Sequence, residues 1–75
     1  MLDAPAKRSV TIGGHRTSVS LEDAFWKVLG QKARELGRPR AALIAEIDRK
    51  RPPEVGLATA LRLFVLDSVQ NRDTA

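Results

Sequence analysis

From Lys7 onward, apolar and polar positions alternate with a period of two: Val10 and Ile12 point one way, Ser9 and Thr11 the other. Gly13-Gly14 interrupts the alternation, and both residues tolerate the positive φ that a two-residue hairpin turn needs. Beyond the turn, Thr17, Val19 and Leu21 share a face opposite Arg16, Ser18 and Ser20. Such a turn sets Ile12 against His15, Val10 against Thr17 and Arg8 against Val19. One face then carries Val10, Ile12, Thr17 and Val19. The other carries Lys7, Ser9, Thr11, Arg16, Ser18 and Ser20, a polar, basic surface with no acid in it.

After Leu21 the apolar spacing changes from two to that of a helix. Ser20 reads as an N-cap, with Asp23 suited to the positive end of the helix dipole. The first helix is predicted from about Leu21 to Leu36, with Phe25, Val28, Leu29, Ala33 and Leu36 as its apolar stripe and Gly37 ending it. Gly30 inside it costs about 1 kcal/mol relative to alanine, which a close helix or strand contact would offset. Trp26 lies one position off the stripe and is assigned to core or dimer packing.

A second helix is predicted after Pro39, burying Leu43, Ile44 and Ile47 and ending in Arg49-Lys50-Arg51 before Pro52-Pro53. A third runs from Val55 or Leu57 to Gln70, with Leu57, Leu61, Phe64, Val65 and Val69 facing the core. The fold class is therefore mostly α with a short β-ribbon: an N-terminal β-hairpin or strand followed by three helices. Residues 7–70 form one domain, flanked by flexible tails at 1–6 and 71–75.

Composition narrows the possibilities. A chain of 75 residues buries a small core, and without cysteine it has no disulfide to supplement it. Oligomerisation is the remaining supplement, and a homodimer is its simplest closed form. Thirteen Lys and Arg against nine Asp and Glu leave a net charge of +4. The resulting pI of 10.4 is the electrostatic footprint of a nucleic-acid binder. No stretch approaches the ~20 apolar residues of a membrane span, and MLDAPAK lacks the apolar segment of a signal peptide. Together with the lack of cysteine, this fits a cytoplasmic protein without membrane contact. His15 is the single histidine, so a metal site and a serine–histidine pair are both unexpected. No carboxylate pair or phosphate loop is visible, and neither catalysis nor a cofactor is expected.

The segment RTSVSLEDAFWKVLGQKARELGRPRAALIAEI, Arg16 to Ile47, joins an alternating strand, a helix, a glycine stop and a basic entry to a second helix. In that order it resembles the ribbon-helix-helix family of small DNA-binding repressors and antitoxins. KRSVTIGGHRTSVSLEDAFW resembles a subgroup with an extended N-terminal strand and a third helix. The resemblance implies a homodimer in which one strand from each chain pairs antiparallel, the ribbon entering the major groove of double-stranded DNA. Arg16, Ser18 and Ser20 would then read bases, while Arg40, Ala41 and Ala42 at the second helix's start would clamp a phosphate. Arg38 is a second phosphate candidate, and the outer strand would run along the backbone with Lys7 touching it. On this reading the strand needs its dimer mate to complete a core. The function implied is a repressor-like transcriptional regulator. The alternative is an interaction module or antitoxin-like protein with little DNA binding, docking a protein partner around Phe64 and Leu66.

Overall fold

The computed structural model describes residues 3–73 and contains β1 (Ala6–Ile12), β2 (His15–Leu21), α1 (Asp23–Glu35), α2 (Arg40–Lys50) and α3 (Leu57–Asp73). Of the expected tails, residues 1, 2, 74 and 75 lie outside the described part. Ala6 already belongs to β1, and α3 continues through Asn71–Asp73 rather than stopping at Gln70.

β1 and β2 form a two-stranded antiparallel hairpin with the expected register: Ile12 opposite His15, Val10 opposite Thr17, Arg8 opposite Val19. Gly13 and Gly14 have φ of 57° and 81°, the pair of left-handed residues that a two-residue turn requires. Pairing extends to Lys7–Ser20 and Ala6–Leu21, which corrects the helix start. Ser20 is held in extended backbone by its cross-strand partner and does not cap α1. The cap position falls to Glu22, whose side chain makes no capping hydrogen bond, and Asp23 occupies the first turn.

The C-terminal end of α1 follows the sequence closely. Gly37 has φ of 68°, and Arg38 N–H donates to Ala33 O (2.9 Å) while Gly37 N–H donates to Arg34 O (3.0 Å). These are the paired bonds of a Schellman termination. The turn lifts Leu36 off the apolar stripe, and it is 55% exposed instead of buried.

The core draws on every element: Val10, Val19 and Leu21 from the hairpin, Leu29 and Ala33 from α1, Leu43 and Ile44 from α2, Leu61 and Val65 from α3. Val10 and Val19 are each only 6% exposed within a single chain, β1 lying against α2 and β2 against α3. Val10 and Val19 are thus covered without a dimer mate, contrary to the expectation from the hairpin's size, because α2 and α3 supply the layer, while Ile12 stays half-buried and Thr17 exposed. Val69, placed in the core from its spacing, is 47% exposed beside a cleft shared with Val28, Gln31, Lys32 and Ser68. Glu22 ties α3 to the start of α1: Arg62 donates to both its carboxylate oxygens, at 2.9 and 3.2 Å.

Candidate nucleic-acid interface

Alternation along the hairpin sends Val10, Val19 and Leu21 inward and leaves Lys7, Ser9, Thr11, Arg16, Ser18 and Ser20 outward. All six of these are exposed, and no other element covers them. Arg8 takes the inner side. Its Nε and Nη2 donate to Leu21 O (3.4 and 3.3 Å), Nη2 stands 3.5 Å from Asp23 Oδ1, and its guanidinium lies 5.3 Å from the Trp26 ring centre. Arg8 therefore closes the end of the core over the start of α1.

The start of α2 lies alongside β1. Pro39 precedes it in extended backbone with φ of −64°, and Pro39 O accepts from Ala42 N–H (3.1 Å) and Leu43 N–H (3.2 Å). Arg40 and Ala41 occupy the first positions, where a helix leaves its amides without intrahelical acceptors and its dipole favours anions. An open concavity of about 270 Å³ forms between the hairpin and this end of α2, and Ser9, Thr11, Arg16, Trp26, Arg40 and Ala41 line it. The fold thus brings Arg16, expected to read a base, together with Arg40 and Ala41, expected to hold a phosphate.

The other expected residues are placed differently. Ser18 lines a separate hollow with His15, Thr17, Asp48 and Arg51, and Ser20 and Lys7 face each other across the strands at the far end of the hairpin. Ala42 contributes its carbonyl to Arg38 Nη2 (3.1 Å). Arg38 also pairs with Glu46, which Lys50 Nζ meets from the other side at 3.0 Å. The Lys50 hydrogen bond, then that of Arg38, holds the Glu46 carboxyl down at about 2, well below the usual carboxylate range. The guanidinium of Arg38 thus braces the first two turns of α2 internally.

Trp26 and Gly30 are site residues that spacing alone did not identify. The Arg40 guanidinium lies 4.3 Å from the Trp26 ring centre, a cation–π contact. It also fills the space a side chain would take at Gly30: a Cβ there would overlap Arg40 Nη2, with Cζ at 2.9 Å and Nε at 3.2 Å. Arg40 Nε is buried and has no hydrogen-bond partner. Arg8, Arg38, Arg51 and Arg62 each pair with a carboxylate, whereas among the described residues none pairs with Arg16 or Arg40. Both of these guanidiniums line one concavity. The sequence signals were an interior helix glycine and a tryptophan off the apolar stripe.

Among the described residues no group of three or more His, Asp or Glu side chains is placed to hold a metal ion. No helix of the described chain is long and apolar enough to cross a membrane. A family model, the ribbon-helix-helix domain, matches residues 5–69. No curated protein and no solved structure matches the chain.

Proposed function

Because the chain belongs to the ribbon-helix-helix family, whose members generally dimerise and bind DNA, we propose that it is a sequence-specific transcriptional regulator acting as a homodimer in the cytoplasm. The observation that carries this reading is the open, acid-free outer face of the hairpin beside the Arg16–Arg40 concavity.

In this reading the free edge of β2 pairs antiparallel with β2 of a second copy. The four strands then span about 14 Å between outer axes, wider than a major groove of about 12 Å. Only the central pair enters, presenting Arg16, Ser18 and Ser20 to base edges. Each β1 follows the rim, where Lys7, Ser9 and Thr11 meet phosphates, and the α2 start, with Arg40, Ala41 and Ala42, holds a further one. Arg38, with its guanidinium committed to Glu46 and the Ala42 carbonyl, supports that turn from within. Bound across an operator, the dimer represses by occupying it.

The test is retention of genomic duplex fragments across a salt series, with the protein's mass in solution recorded. A dimer that selects certain fragments, with affinity falling steeply as salt rises, supports the regulator. No retention at low salt overturns it.

One observation favours a second reading. Leu63 on α3 is 55% exposed and lines a groove of about 460 Å³ with residues including Leu43, Ile47, Pro52, Val55 and Phe64, and Leu66 on the same helix is 50% exposed. A protein-interaction or antitoxin-like role would use this surface. Leu66→Ser would then abolish partner capture and leave duplex retention untouched, whereas loss of neither removes this reading.

A further inference from the structure

Among the described residues, Arg40 stands out from the other arginines in being both stacked and without a carboxylate. A glycine inside α1 weakens the helix relative to alanine, so Gly30 calls for a compensating reason. That reason is visible in the packing: only the missing Cβ leaves room for the Arg40 guanidinium. Trp26 sits one helical turn before Gly30, so the two residues share a face of α1, and its ring covers the same guanidinium. The long, flexible arginine stem is thereby ordered before any ligand arrives.

We infer that Gly30 and Trp26 are positioning residues that pre-order Arg40 for a DNA phosphate at the start of α2. The inference rests on the reading of Arg40 as a phosphate contact and adds the two residues that make it an effective one. An unrestrained arginine loses rotamer freedom when it grips a phosphate, and a stacked one has already lost it. Arg16 on the hairpin side of the concavity gives the same anion a second cation.

The deciding experiment is a double-mutant cycle on the full chain. Binding of a mixed-sequence duplex is measured against salt for wild type, Gly30→Ala, Arg40→Ala and the double variant, alongside melting temperature and the emission of Trp26, the chain's single tryptophan. Gly30→Ala is expected to weaken binding roughly tenfold and to lower the salt slope by about one, without lowering the melting temperature. Its emission shifts as the guanidinium leaves the ring. In the Arg40→Ala background the same substitution changes neither affinity nor slope, because the group it displaces is gone. Trp26→Leu, which removes the ring and leaves Gly30 intact, gives the same Arg40-dependent loss. Equal losses in both backgrounds would show Gly30 acting through the backbone and overturn the inference, as would a Gly30→Ala protein that binds like wild type. A wild type that binds no duplex overturns the regulator reading itself, and the role of Gly30 and Trp26 with it. That failure is recognised by the wild-type curve alone.

Discussion

Arg16 and Glu46 show what single side chains contribute on opposite sides of the hairpin–α2 junction. Arg16 is exposed, has no carboxylate beside it among the described residues, and projects from the outer face. If it reads a base, Arg16→Ala weakens binding to the selected fragment by about 1–3 kcal/mol and relaxes the preference at one position. Competition between matched and mismatched duplexes measures this, and an equal loss on all sequences would reassign Arg16 to a phosphate. Glu46 works inside the chain, where Lys50 and Arg38 depress its pKa to about 2 from an ordinary 4.5. A folded-state pKa below the unfolded one adds stability that is complete above the unfolded value and is lost as pH falls through the folded value. The melting temperatures of wild type and Glu46→Gln should therefore differ by a constant amount above about pH 4.5 and converge as pH approaches about 2. Parallel curves down to that pH would mean that the two cations do not hold the carboxylate ionised. Arg62 depresses Glu22 by the same mechanism, through the fork that joins α3 to α1.

At the scale of elements, the two glycines of α1 and its exit should respond oppositely to alanine. Gly37 adopts a φ of 68° with open space around it, so Gly37→Ala meets no clash but strains the backbone, costing about 1–2 kcal/mol. Gly30 is helical and crowded, and Gly30→Ala gains about 1 kcal/mol of helix propensity against loss of the Arg40–Trp26 contact. Thermal melts of both variants test this contrast; a Gly37→Ala protein as stable as wild type would contradict the assigned backbone. Elements bounded by strong local signals were legible in the sequence. The Gly13-Gly14 turn fixes the parity of both strands, hence which residues share each face, and Gly37 and Pro52-Pro53 stop α1 and α2 where expected. What was not legible depended on pairing between distant residues. Ala6 and Lys7 extend β2 by pairing with Leu21 and Ser20, and this overrides a plausible cap at Ser20. The register places Arg8 opposite Val19, but the strand period does not show that its guanidinium reaches Trp26 and Asp23. The concavity was hidden for the same reason, since strand periodicity says nothing of α2 lying beside β1.

For the whole molecule, the third helix changes what dimerisation is expected to do. A chain with a strand and two helices leaves the strand's apolar face for its partner to cover. Here α2 and α3 cover most of it, with Val10, Val19 and Leu21 buried within one chain and Thr17 left exposed. If the chain pairs through β2 as proposed, association serves DNA binding by bringing together two chains of net charge +4 each, and is not needed to bury these residues. Diluting the protein through its dimer dissociation constant should lower the mass observed by sedimentation and leave the far-ultraviolet helix signal unchanged. Melting temperature should depend only weakly on concentration in the monomer range, where no partner binding stabilises the native state. Helix loss that tracks dissociation would show that the monomer's core is insufficient and that the second copy supplies part of it. DNA affinity, by contrast, should fall steeply on dilution below the dimer, because one chain supplies only half of the central pair of strands. A fold that survives dissociation while binding does not would place the requirement for the dimer in the ribbon.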